Sequence, residues 1–294
     1  MPPQLALLVN PAARGGRALR LLEPVVRRLR AGGADVSVIA GRDATDALER
    51  ACTAVAERPD ALVAFGGDGL VHLAVQAVAG TDVPLGIIPA GTGNDIAAAL
   101  GLPRGDAMAA ARTVLRMKSR LIDAVRVRAG DADELYAGVM CCGFDSRVNE
   151  RANRLTWPPG MARYLVAMAE ELRRFRPIPF RITLDGETVE REAMLVAVGN
   201  TRSYGAGMRV CPDALPDDGL LDVMVLGAVG KGEFLRVFPS VYRGTHVTHP
   251  AVSITRARSV RLEAYDVVAY ADGERVGPVP VTCDVRPGAL RVIA

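Results

Sequence analysis

Two glycine-rich turns, Gly66-Gly67-Asp68-Gly69 and Gly91-Thr92-Gly93-Asn94-Asp95, lie close together in the first half of the chain. Glycine lets backbone N–H groups crowd an anion, and a helix N-terminus adds partial positive charge. Each turn also carries an aspartate, which repels a phosphate unless a metal ion stands between them. The pairing points to a nucleotide held with a divalent cation. Neither common phosphate motif is satisfied: no G-x-x-x-x-G-K-[ST] run occurs, and the nearest approach to G-x-G-x-x-G/A ends in Ile96. A third segment, Asn10-Pro11 through Gly15-Gly16, offers glycines and Arg14 or Arg17 to the same ligand.

The elements that must position these turns follow from the apolar pattern. Strands are expected at Leu5–Val9, Val36–Ile39, Ala61–Phe65 and Leu85–Ile88. Helices are expected at Arg17–Leu29, Ala44–Ala56, Leu70–Val78, Asp95–Leu100 and Ala107–Met117. This alternation implies a mostly parallel sheet covered on both faces. The turns then share the crevice at the carboxyl ends of the strands, where open α/β sheets bind ligands. Near Asp123 the character changes to strand patterns with Asp-Gly turns at 185–186, 218–219 and 272–273. Two helical insertions, Met161–Phe175 and Gly232–Tyr242, interrupt this β-rich part. The amphipathic first insertion, with Met161, Tyr164, Leu165, Met168, Leu172 and Phe175 on one face, reads as core-facing, or else as a lid or membrane-facing helix with a basic end.

The formal charge is +3 with both signs interspersed, which argues against a nucleic-acid partner. Five cysteines, at 52, 141, 142, 211 and 283, fit neither a zinc site nor a disulfide frame and read as reduced thiols in a cytoplasmic protein. No stretch is long and apolar enough to span a bilayer, so membrane contact would be peripheral. An exposed sheet edge could pair two copies into a homodimer.

Asn10-Pro11, Gly66–Gly69 and Gly91–Asp95, in this order and spacing, resemble the diacylglycerol kinase catalytic family, which includes bacterial soluble lipid kinases and the sphingosine and ceramide kinases. The resemblance continues through Asp123, Gly199-Asn200, Tyr204–Met208, Pro212–Asp222 and Asp272-Gly273-Glu274, nearly the whole chain. It implies a phosphofructokinase- or NAD-kinase-like α/β domain over 1–123. It further implies a β-sandwich lipid-substrate domain over 124–283 and a tail, about 284–294, returning to the first domain. The implied reaction is transfer of the ATP γ-phosphate to a lipid hydroxyl, with diacylglycerol the default acceptor.

Roles carry over from the resemblance position by position. Asp68, Asp95 and Asp123 would bind Mg²⁺, partly through water. Asn10, Pro11, Gly66, Gly67, Asp68, Gly69, Thr92 and Asn94 would hold ATP. Glu274, with Asp272, would take the proton from the lipid hydroxyl. A second, structural metal would rest on the Asp218 carboxylate and the carbonyls of Leu215 and Leu220. Asp185-Gly186-Glu187 repeats the letters of 272–274, and both copies read as turns on local grounds. Leu70 departs from the family's usual threonine after Gly69. His72, and the His246-x-x-His249 pair without a nearby acidic partner, read as packed or surface residues. An NAD kinase and a non-catalytic lipid-binding pseudokinase are the competing readings.

Overall fold

The computed structural model describes residues 1–10, 19–158 and 161–294. The first part alternates β1 (Gln4–Val9), α1 (Leu19–Ala31), β2 (Asp35–Ala40), α2 (Ala44–Ala56), β3 (Ala61–Gly66), α3 (Asp68–Val78), β4 (Leu85–Pro89), α4 (Asp95–Ala99) and α5 (Ala107–Leu115). β1 pairs with β2 and β3, and β3 with β4, all parallel. β3 and β4 are buried along their whole length, as their continuous apolar runs require of a sheet covered on both faces. One core lies under α2, α3 and α4, and the other under α1 and α5.

The second part comprises β5 (Ser119–Ala129), β6 (Ala132–Tyr136), β7 (Val139–Gly143), α6 (Phe144–Arg154), α7 (Met161–Arg174), β8 (Ile178–Leu184), β9 (Glu187–Gly199), β10 (Leu221–Gly227), α8 (Lys231–Val237), β11 (Val252–Ala257), β12 (Ser259–Glu263), β13 (Val268–Ala271), β14 (Glu274–Pro278) and β15 (Val281–Ile293), with tight 3-10 turns at Phe238–Arg243 and Thr245–Thr248. β9 pairs with β8 by its first half and with β7 and β10 by its second. β15 runs antiparallel to β12 and β5, and Val292 near its end lies opposite Leu85 of β4. One strand thus joins the β-rich part to the parallel sheet.

Several local expectations change. α6 has no counterpart in the sequence reading. The Gly232–Tyr242 helix divides into α8 and a 3-10 turn. Asp218-Gly219 lies in the loop before β10 and joins no hairpin, whereas the other two Asp-Gly pairs do join strands, β8 to β9 and β13 to β14. α7 buries Ala167 and Leu172 but leaves Tyr164, Leu165 and Val166 exposed, so only its second half faces the core. His246 is buried against the Val210 carbonyl, and His249 does have an acidic partner, Glu233 at 3.1 Å.

Candidate active site

The two glycine-rich turns touch. A Cβ on Gly91 would come within 2.4 Å of the Gly67 Cα, so neither position admits a larger residue without moving backbone. The contact arises because Gly66 and Pro89, the last residues of β3 and β4, are register partners, and Ala90 N–H donates to the Gly66 carbonyl. Asn94 closes the second turn. It holds a left-handed backbone (φ 55°), which asparagine tolerates. Its Oδ1 accepts from Gly91 N–H, and its Nδ2 donates to the carbonyls of Gly91 and Arg104. The Asn94 side chain thus shapes the turn.

Asp68 opens α3 and Asp95 opens α4. Asp68 Oδ1 accepts from Ile96 N–H, so the first turn caps the helix that follows the second. Asp95 Oδ2 accepts from Ala206 N–H, reaching the Tyr204–Met208 turn of the β-rich part. Oδ2 of Asp68 and Oδ2 of Asp95 converge on Gly93, at 2.8 and 3.2 Å from where its Cβ would stand. Asp95 Oδ1 is buried without a hydrogen-bond partner, with Arg104 Nη2 3.6 Å away. Burial pushes both carboxyls above their ordinary range. An orphaned carboxylate oxygen beside a second carboxylate is the donor set a hard divalent cation requires, so these two residues fit Mg²⁺.

Asp123 stands elsewhere. Its carboxylate accepts from the Gly219 and Gly288 amides, at 2.7 and 2.8 Å, and its main chain bonds Pro216 and Asn200. It ties β5 to the 216–219 turn and to β15. Among the described residues no three acidic, histidine or cysteine side chains group as a metal site, so the expected three-aspartate cluster reduces to a pair. At the second expected metal site, Asp218 is paired with Arg256 and accepts from the Leu220 amide.

Asp272 and Glu274 part company. The Asp272 side chain is 1% exposed. Its Oδ1 accepts from the Gly138 and Val139 amides, and its Oδ2 from the Ala137 amide. The His72 Nδ1 lies 3.4 Å from Oδ2. A carboxylate so engaged has no lone pair to offer a substrate, which corrects the expectation that it shares the role of base. Glu274 is exposed at the start of β14, and its side chain makes no hydrogen bond or ion pair among the described residues. Its Oε1 would lie 2.4 Å from a Cβ on Gly69. The close approach puts a free carboxylate over the amino end of α3, where a side chain at 69 would push it aside. The twin triplet shows the contrast. Asp185 sits in the same left-handed turn geometry as Asp272 but caps the Arg258 and Ser259 amides at the surface.

His72, a packed residue as one of the two expectations had it, lies one turn beyond Asp68 on α3, at the i, i+4 spacing that puts two side chains on one helical face. Its ring is buried between Asp272 and Glu134, whose Oε2 is 3.6 Å from Nε2. Burial alone would lower its pKa; the two carboxylates outweigh this and push it up to about 10. Gln76, a turn further, exchanges hydrogen bonds with the Leu135 main chain. Leu70 fills the core beneath Gly66, and α3 begins without a side-chain cap. Asn10 follows β1 beside β3. Pro11, Arg14 and Arg17 lie outside the described residues.

A cleft of about 530 Å³ opens between these acids and an apolar wall of Phe144, Val148, Leu165, Met168, Phe238 and Tyr242, with Thr92 exposed at its rim. Aromatic residues are scarce, yet Phe175, Phe144, Phe234, Phe238 and Tyr242 form a continuous chain of ring contacts that reaches the cleft at Phe144, Phe238 and Tyr242, with centroids 5.0–6.2 Å apart. Asp145, in the first turn of α6, faces the cleft without a hydrogen-bond partner among the described residues, and burial pushes its carboxyl up to about 7.

Residues 4–127 match the diacylglycerol kinase catalytic domain, and residues 138–294 match the YegS C-terminal NAD kinase beta sandwich-like domain. The chain is 44% identical over 292 residues to a diacylglycerol kinase of Mycobacterium tuberculosis, covering 99% of this chain and 94% of that one. The chain belongs to the diacylglycerol kinase family. A Bacillus subtilis diacylglycerol kinase is 30% identical over 277 residues, covering 93% of this chain and 90% of that one. In fold, this family member superposes on a crystal structure of a Bacillus anthracis diacylglycerol kinase with a TM-score of 0.75, at 23% identity, covering 99% and 96% of the two chains. It also superposes on an Archaeoglobus fulgidus NAD kinase in complex with ATP, with a TM-score of 0.54 at 13% identity, covering 99% and 93%. Among the described residues, no helix of this diacylglycerol kinase family member is long and apolar enough to cross a membrane.

Proposed function

We propose that the protein transfers the γ-phosphate of ATP to the hydroxyl of diacylglycerol. The observation that carries this is the free Glu274 carboxylate poised over Gly69, beside the Asp68–Asp95 pair and facing an apolar wall. Asp68 and Asp95 would hold Mg²⁺, which when bound neutralises phosphate charge in a reaction that depends chiefly on positioning and electrostatics. The amino end of α3 and the Thr92 hydroxyl offer donors to the phosphates. Glu274 accepts the proton of the attacking hydroxyl. Phe144, Val148, Leu165, Met168 and Phe238 receive the apolar body of the lipid and exclude water. The exposed Tyr164, Leu165 and Val166 of α7, with Arg173 and Arg174 at its end, suit transient contact with an anionic membrane surface.

The NAD kinase alternative shares the fold, but a wall of aromatic and aliphatic side chains offers little to a polar dinucleotide. The deciding assay supplies radiolabelled ATP and Mg²⁺ with diacylglycerol in mixed micelles, and in parallel with NAD⁺. Labelled phosphatidic acid is expected. Labelled NADP⁺ instead, or no transfer to any lipid of a total membrane extract, overturns the proposal.

A further inference from the structure

His72 stands where the two halves of the site must be held in register. It projects from α3, the helix whose first turn carries Asp68 and Gly69. It meets Asp272, the first residue of the turn that ends in Glu274, at 3.4 Å. Its other nitrogen meets Glu134 of β6 at 3.6 Å. Asp272 in turn gathers the amides of Ala137, Gly138 and Val139, between β6 and β7. Every one of these groups is remote in sequence from α3, so nothing local fixes the distance from Gly69 to Glu274.

We propose that His72 is a positioning residue for phosphoryl transfer: held between Asp272 and Glu134, it locks the Asp272–Glu274 turn over the amino end of α3. The inference rests on the reading of Glu274 as the proton acceptor. The ring is buried and both nitrogens face carboxylates, which outweigh burial and favour its charged form. A cation between two acids satisfies Asp272 while denying its charge to the cleft, where Asp68 and Asp95 already crowd negative charge. A neutral, apolar residue at 72 would leave Asp272 short of a partner and the turn free to lift.

The experiment compares wild-type enzyme with His72→Gln and His72→Phe, using Mg-ATP and diacylglycerol micelles, together with amide hydrogen exchange at Ala137, Gly138 and Val139. Glutamine can still donate to Asp272; phenylalanine cannot. His72→Gln is expected to lower kcat about tenfold with KM for ATP within twofold, and His72→Phe to lower it further. Exchange at the three amides should quicken in the same order. Unchanged kcat in both variants, or kcat and KM moving together, overturns the proposal. Native protection at 137–139 in His72→Gln overturns it as well, whatever the turnover. Should His72→Phe fail to fold, His72→Gln alone decides. Absence of turnover in the wild type with either acceptor sinks the reading of the reaction, while the exchange measurement still judges the clamp.

Discussion

Replacing Asp272 by asparagine separates the buried strut from the exposed carboxylate that we propose as the base. The carboxylate takes three backbone amides and faces the His72 ring. Asparagine keeps one accepting oxygen. With that oxygen toward Gly138 and Val139, its NH₂ group opposes the Ala137 amide and His72, so donors meet donors. Two bonds to a charged acceptor disappear, worth roughly 1.5–3 kcal/mol each, the ring contact at the low end because of its length. The expected loss is about 3–4 kcal/mol, a large part of the 5–15 kcal/mol that typically holds a domain folded. Glu274→Gln removes a side chain that bonds nothing, so its stability should change by no more than about 0.5 kcal/mol. Its turnover should fall by roughly 10²–10⁴. Urea unfolding at pH 7, followed by circular dichroism, measures the first quantity for both variants, and the kinase assay the second. The pH arm has a definite sign. His72 is raised to about 10 from 6.5, so its contribution is fully present below pH 6.5 and lost as pH rises through 10. Asp272→Asn should flatten that decline. The reasoning is refuted if Asp272→Asn unfolds within 1 kcal/mol of the parent, or if Glu274→Gln costs as much stability as Asp272→Asn.

Gly69→Ala should raise helix stability by about 0.5–1 kcal/mol yet lower kcat at least tenfold, because its Cβ displaces the Glu274 carboxylate; thermal unfolding and turnover measured together check the opposite signs. Gly91→Ala meets backbone rather than a flexible side chain, so it should destabilise by about 1–3 kcal/mol and weaken ATP binding in titration calorimetry. Asp145 is raised to about 7 from 3.8, so the fold is favoured while it is protonated and loses that advantage between about pH 4 and 7. Asp145→Asn should abolish this part of the slope and stabilise the protein at pH 8, read from unfolding midpoints across pH.

The parallel sheet and its two turns were legible because their signals are local. Strand, glycine turn and helix follow within a dozen residues, and the apolar runs of β3 and β4 announce full burial. α6 was not legible. It starts at Gly143, in a backbone conformation open to glycine (φ 107°), is capped by Ser146, and shows only Phe144, Val148 and Ala152 as an apolar stripe among charges. The division of labour between Asp272 and Glu274 was beyond local reading altogether. Asp185-Gly186-Glu187 has the same letters, and only partners from α3 and the β6–β7 junction distinguish the two. The ligand roles of Asp123 and Asp218 come from the family resemblance, which carries residue types but not their tertiary partners. Whether an amide or a guanidinium arrives first is decided by tertiary packing.

β15 carries a consequence for how the molecule is made. The strand is bonded along most of its length to β12 and β5, and its final residues lie against β4. The four-stranded parallel sheet can therefore assemble early during synthesis, but its β4 margin stays bare until β15, remote from it in sequence, has been made. Contacts of such long sequence separation form slowly, and an unpaired margin invites wrong partners meanwhile. The seam between the β-rich part and the parallel sheet is thus among the last parts of the fold to be completed.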